Sequence, residues 1–263
     1  RRGGTMMNIK WDAEGYIENF GFVHEYGEDV ISLIDAKPGS FVIDLGCGSG
    51  ALSEKLREKG YEVLGIDASE DMVKAASESY PNIRFVCGDA VSFKPERGAD
   101  VVFSNAVMHW IDADKQEAAA RNIFDALVPG GDFVCEFGGS GCAETVHAEL
   151  ARIFEKRGLV YKNPFFFPTI GEYAPILEKA GFTVRYAVLF DRPTVQKTED
   201  GLADWIRMFD KKPFEGLEPE LCDEIIAEAS ENLRPVLFKD GKWIVDYVRI
   251  RIKAERPAFS EKG

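Results

Sequence analysis

Short apolar runs recur along the first half of the chain, separated by stretches of helical periodicity. Phe41 to Leu45, Glu62 to Ile66, Ile83 to Cys87, Val101 to Phe103 and Asp132 to Phe137 read as strands. Between them, Ala51 to Lys59 sets Leu52 and Leu56 one turn apart and stops at Gly60. Ser69 to Ser79 opens on a capping serine and stops before Pro81. Strand alternating with helix predicts an α/β fold, a doubly wound parallel sheet covered on both faces. Upstream, Glu14 to Asp35 reads as a helix beside the sheet, ending at Lys37-Pro-Gly39. The alternation breaks after Gly139. Residues 142–158, 171–180, 199–209 and 218–232 read as helices, Thr183 to Phe190 as a strand, and 243–253 as a last strand. This predicts one domain over 8–255, with a core of 8–138, 182–191 and 242–255. The stretches 139–181 and 192–241 are then helical cap insertions that can roof a pocket at the carboxyl ends of the strands.

Length and composition narrow the partners. A chain of 263 residues, 45% of them hydrophobic, can build a sizeable core. Its 32 Lys and Arg against 45 Asp and Glu leave a net charge of -13, which repels phosphate backbones and anionic lipid, so neither nucleic acid nor membrane is an expected partner. The densest basic stretch, Arg249 to Arg256, alternates with apolar residues and reads as a strand edge. Five scattered cysteines without a C-x-x-C pair predict reduced thiols and a cytoplasmic setting. No run reaches the roughly 18 apolar residues of a membrane span.

The chemistry concentrates where strands end. Phe41 to Gly50 reads F-V-I-D-L-G-C-G-S-G, a strand turning into a glycine loop that exposes backbone before a helix. Gly46, Gly48 and Gly50 are spaced G-x-G-x-G, not the G-x-G-x-x-G of dinucleotide sites, and Asp44 precedes them. An acid under the loop suits a cofactor carrying an amine and a sulfonium, as S-adenosylmethionine does. Asp67, at the end of the second strand, is positioned to accept both ribose hydroxyls. Asp89 ends the third strand and can receive the adenine amino group, with Met72 and Ala90 against the ring faces. Asn105 follows the fourth strand and would face the methionine end, and Leu127 to Gly131 reads as a helix-ending turn before the fifth.

These motifs resemble class I S-adenosylmethionine-dependent methyltransferases, specifically the small-molecule branch that includes trans-aconitate methyltransferase. The likeness is carried by D-L-G-C-G-S-G at 44–50, G-I-D-A-S at 65–69, G-D-A at 88–90, S-N-A-V-M-H-W at 104–110 and L-V-P-G-G at 127–131. It implies a seven-stranded Rossmann-like sheet whose last strand inserts antiparallel between the fifth and sixth. It also implies S-adenosylmethionine as cofactor, with Cys47 and Ala68 joining the cofactor residues. Weaker likeness at Trp11 to Tyr16 and Phe165 to Tyr173 implies closure of the site by these segments, although Trp11 and Tyr16 read equally as core anchors.

Methyl transfer from an activated sulfonium needs alignment and water exclusion more than a covalent residue. A carboxylate acceptor is ionised near pH 7 and would want a cationic partner; Arg207, near Trp205, is the candidate, read equally as a solvated helix residue. A hydroxyl would need a base, for which His109 is the candidate. Trp110, Tyr173 and Trp205 are the further acceptor-side candidates, and Phe165 to Phe167 and Phe209 favour a partly apolar small acceptor. No metal site is expected: the chain shows neither a carboxylate and Asn cluster for Mg²⁺ nor converging cysteines for arsenite. Ser104 to Val107 lacks the prolines of base-amine methylation of DNA. A non-catalytic S-adenosylmethionine-binding regulator or scaffold is the alternative.

Overall fold

The computed structural model describes residues 27–198 and 200–258. Its centre is a seven-stranded sheet. The first strand, β1 (Phe41–Leu45), is buried at every position, which is what an uninterrupted apolar run in a sheet covered on both faces requires. It pairs in parallel with β2 (Glu62–Asp67) on one side and with β4 (Ala99–Asn105) on the other, while β3 (Arg84–Cys87) adds beyond β2. Next to β4 comes β5 (Leu127–Gly138), then β10 (Val248–Glu255), then β6 (Thr183–Asp191), and β10 runs antiparallel to both neighbours. The insertion of the last strand is as the resemblance implied. The basic stretch from Arg249 therefore lies on an interior strand, because paired neighbours satisfy both of its sides. Leu127 to Gly131, expected as a turn, is already part of β5, with Leu127 in register with Ala99.

Helices cover the faces. The helix α1 (Gly27–Ile31), within the stretch expected to be helical upstream of the sheet, buries Val30 and Ile31 with α2 (Ala51–Glu58), whose Leu52 and Leu56 form its inward face. The helix α3 (Glu70–Ser79) begins where Ser69 Oγ accepts from the Met72 N–H, satisfying a first-turn donor that the helix cannot bond itself. Further along, α4 (Gln116–Ala126) packs with α6 (Ile170–Ala180), which opens on a capping box between Thr169 and Glu172 and stops at Gly181 with φ of 111°.

A second core sits above the carboxyl ends of the strands. It joins α5 (Glu144–Lys156), α7 (Gly201–Phe209) and α8 (Pro219–Leu237) with a small sheet of β7 (Thr194–Val195), β9 (Lys242–Val245) and β8 (Phe238–Lys239). Leu150, Ile153, Leu202, Ile206, Ile225 and Val245 are fully buried in it; each such side chain contributes about 1.5–3 kcal/mol relative to exposure. The stretch 139–181 is thus divided: α5 belongs to this cap, whereas Tyr173 and Leu177 of α6 are buried in the main core. Periodicity reports that a helix is amphipathic and not which of two cores it faces. Among the described residues, no helix is long and apolar enough to cross a membrane.

Candidate functional site

A cleft opens between the strand ends and the cap. It lies where strand order reverses between β1 and β4, the point at which helices leave to opposite faces and the loops part. One end is built from the glycine loop. Gly46, Gly48 and Gly50 have φ of 75°, 52° and 85°, left-handed backbone that admits glycine with little strain. A Cβ on Gly46 would lie 2.2 Å from Val107 Cγ2, so the β1 loop and the β4 loop meet there in close contact; a Cβ on Gly48 would meet nothing within 4 Å. The open side of Gly48 is the face a ligand can approach.

Asp67, buried at the end of β2, closes this end. Its Oδ2 accepts from the Gly48 N–H at 2.9 Å and its Oδ1 from the Ser69 N–H at 2.9 Å. A carboxylate offers about four lone-pair sites, so each oxygen can accept once more, and two hydroxyls of one ribose suit that pair. Burial pushes the Asp67 pKa up while the two backbone donors pull it down. Met72 adds apolar surface beside Asp67, and Asn105 and Ala106 line the middle of the cleft. Ala106 holds a φ of 60°, uncommon for a residue with a side chain, with its N–H donating to the Glu136 carbonyl at 2.7 Å. This bend carries the chain from β4 into the short helical turn Met108–Trp110.

The other end is aromatic. Trp110 packs against Phe165 with ring centres 4.8 Å apart, and Phe165 stacks on Phe167 at 4.9 Å with 7° between planes. Trp205 donates from Nε1 to the Tyr247 hydroxyl at 2.5 Å, and Phe209 lies beside both Trp110 and Trp205. His109 is buried, and its Nδ1 accepts from the Gly138 N–H at 2.9 Å. That bond puts the ring proton on Nε2, so the nitrogen left to meet a ligand is a donor. Burial, aided by the nearby Arg249 charge, holds its pKa well below the ordinary value and keeps the ring neutral. In this arrangement the lone pair on Nδ1 is engaged by the Gly138 N–H, and the expected role of a base would need a nitrogen that the ring does not leave free.

The structure brings Gly46, Gly48, Asp67, Met72, Asn105, His109, Trp110 and Trp205 to one cleft. Other expected residues are not among those that line it. Asp44 is buried under the loop and accepts from Ser53 Oγ at 2.6 Å; loss of water raises its pKa to about 7. The Cys47 side chain packs with Ala76, Ile83 and Phe85, and the Ala68 carbonyl accepts from the Cys87 thiol. Asp89 accepts from the Val91 N–H at 3.0 Å, and Ala90 is buried in the main core. Tyr173 is packed edge-on against Phe137 inside the sheet-covering layer, away from the cleft. Arg207 is on the outer face of α7, half exposed, paired with Asp223 at 3.2 Å. Trp11 and Tyr16 lie outside the described residues.

Val107, Cys142, Tyr247 and Arg249 line the cleft without having been singled out as site residues. Arg249 was concealed by its setting in an alternating basic strand, and only the pairing of β10 with Gly138 and Phe190 aims it at the cleft. Among the described residues no three His, Cys, Asp or Glu side chains converge as a metal site.

Comparison with known proteins agrees with this geometry. A methyltransferase domain model matches residues 42–131, which run from β1 into β5. An uncharacterized methyltransferase of Schizosaccharomyces pombe is 33% identical over 258 residues, covering 94% of this chain and 98% of its own. A trans-aconitate 2-methyltransferase of Sinorhizobium fredii is 24% identical over 263 residues, covering 95% of this chain and all of its own (100%). Among solved structures, a SAM-dependent methyltransferase of Methanosarcina mazei shares the fold with a TM-score of 0.57 at 16% identity, over 85% of this chain and 95% of that one.

Proposed function

The chain belongs to the methyltransferase family, and on that premise we propose that it transfers a methyl group from S-adenosylmethionine to an oxygen of a small-molecule acceptor. The observation that carries the donor is Asp67. Its carboxylate, held by the Gly48 and Ser69 N–H groups at the strand-order reversal, has acceptor capacity left for a ribose diol beside an open glycine backbone. Met72 offers apolar surface for a base, and Asn105 offers an amide toward the amino-acid end. The donor, when bound, supplies an activated methyl group, so the protein's task is to align the acceptor and keep water away.

The aromatic end suits that task. Trp110, Phe165, Phe167 and Phe209 leave few polar partners for water, and the cap presses them onto the strand ends. Neutral His109 can donate from Nε2 to an acceptor oxygen and cannot readily remove a proton. This favours a carboxylate, ionised near pH 7 and needing no base, over a hydroxyl. Cys47, Cys87, Cys135, Cys142 and Cys222 are free thiols, which suits a reducing cytoplasm. The test is calorimetry with S-adenosylmethionine and S-adenosylhomocysteine, followed by mass-spectrometric detection of methylated product over a metabolite panel. Absence of binding by either compound removes the donor assignment. Binding without product across the panel favours a regulator or scaffold.

A further inference from the structure

The acceptor end of the cleft holds a cation that no carboxylate among the described residues neutralises. Arg249 is only 9% exposed, yet among the described residues its guanidinium has no carboxylate within 4.0 Å. Its recorded partners are the Tyr247 ring, 4.6 Å below, and the Cys142 sulfur at 4.0 Å from Nη1. The contrast with the next residue on the same face of β10 is direct. Arg251 donates to Glu136 Oε2 at 2.6 Å, and Arg192 takes the other oxygen of Glu136, so that carboxylate is consumed. Burying a guanidinium without a counter-ion is costly, and such a group at a ligand cleft is set to bind an anion.

The wall around Arg249 limits what that anion can be. Trp110, Phe165, Phe167 and Phe209 give an apolar body its contacts, and Nε2–H of neutral His109 is a second donor without a second charge. Asp67 is the acid on the described wall and serves the donor end. One cation can compensate one carboxylate; among the described residues the wall presents no second Lys or Arg to the further carboxylates of a tricarboxylate, which would enter an aromatic cleft of a chain with net charge -13. We propose that Arg249 anchors the single carboxylate of an acceptor with an apolar body, and so selects monocarboxylic acids over polycarboxylates such as trans-aconitate. This assignment rests on the methyltransferase reading above and names its substrate class. Tyr247 is the positioning residue: its hydroxyl is fixed by Trp205 and its ring carries the guanidinium.

The experiment is calorimetry on the full chain saturated with S-adenosylhomocysteine. The probes are octanoate, 3-phenylpropanoate, the neutral 3-phenylpropanamide and trans-aconitate, each with wild type, R249Q and R249K. The expected result is that a monocarboxylate binds more tightly than trans-aconitate, and that R249Q weakens it by about 10–100-fold, the range of a charge-assisted hydrogen bond. The amide and S-adenosylhomocysteine should shift by less than about threefold, a selectivity for charge that a general loss of structure would not produce. R249K, which keeps the charge and loses the planar fork, should lie between and provides the readout if R249Q does not fold. Tighter binding of trans-aconitate, no binding of either monocarboxylate, or equal losses for amide and carboxylate would overturn the assignment. Failure of wild type to bind S-adenosylhomocysteine would instead remove the donor reading on which it rests.

Discussion

The Gly48 N–H donates to Asp67 Oδ2 at 2.9 Å, a bond that ties the loop after β1 to the end of β2 across 19 residues of sequence. With the Ser69 N–H on Oδ1, it fixes the orientation of the carboxylate that the proposed ribose contact would use. Replacement by Asn retains one acceptor oxygen and loses the charge and one acceptor site. D67N should therefore weaken S-adenosylhomocysteine binding by about 10–100-fold, as for loss of a charged hydrogen bond, in a calorimetric titration. Unchanged affinity would mean that Asp67 only pins the loop.

The glycines of the loop should respond unequally. G46A forces a Cβ to within 2.2 Å of Val107 Cγ2 on a backbone of φ 75°, while G48A meets open space at φ 52°. Overpacking and left-handed strain together put G46A about 2–4 kcal/mol below wild type, against about 1 kcal/mol for G48A. Chemical denaturation of both variants reads the difference. Equal losses would show that backbone strain dominates and the Val107 contact does not.

At His109, Asn can replace Nδ1 with its Oδ1 and still accept from Gly138. H109N should keep the fold and retain product formation within about tenfold, whereas removal of a general base lowers turnover by about 10²–10⁴-fold. H109A leaves the buried Gly138 N–H unpaired and should lose about 1–3 kcal/mol of stability. Since burial and Arg249 both depress the His109 pKa, the rate should show no His109 ionisation between about pH 6 and 8.

A buried chain in the cap predicts pH-dependent stability. Tyr161 donates to Asp210 Oδ2 at 2.7 Å and lies 2.6 Å from His147 Nδ1. Burial raises the Asp210 pKa to about 7 and lowers that of His147 to about 4. For Asp210 the folded state keeps a proton that the unfolded chain has lost, so its contribution falls as pH rises from about 4 to about 7. For His147 the unfolded chain takes up the proton first, so its contribution falls as pH drops from about 6.5 to about 4. The two slopes oppose one another, and D210N removes one of them. The melting temperature of D210N minus that of wild type should increase by at least about 2 °C between pH 5 and pH 8. A constant difference would show that Asp210 does not titrate across this window in the fold.

Where chemistry is carried by backbone and short-range pattern, the chain could be read directly. The F-V-I-D-L run produces a strand buried throughout, the glycines following it adopt positive φ, and Asp67 stands at a strand end because the helix cap at Ser69 follows immediately. Asp44 shows the limit of that reading. It has the sequence position of a ligand contact, yet its carboxyl is turned to Ser53 beneath the loop, nine residues away along the chain. Tyr173 and Arg207 show it again, since an aromatic or a cation on an amphipathic helix does not disclose which neighbour the helix will cover.

The succession of strands and helices along the chain, the glycine loop and the acid that answers it were therefore dictated locally, by periodicity, turn chemistry and capping. The acceptor end was decided by long-range assembly. Arg249 faces the cleft because the last strand is inserted antiparallel between β5 and β6, and among the described residues it has no carboxylate partner there because Arg192 and Arg251 occupy Glu136. Trp110, Phe165, Phe209 and Tyr247 come from four separate parts of the chain, and only packing of the cap against the sheet makes them one wall. Local sequence constrains dihedral angles and burial periodicity, whereas which charge ends beside which is determined by contacts that here span 56 and 115 residues of sequence.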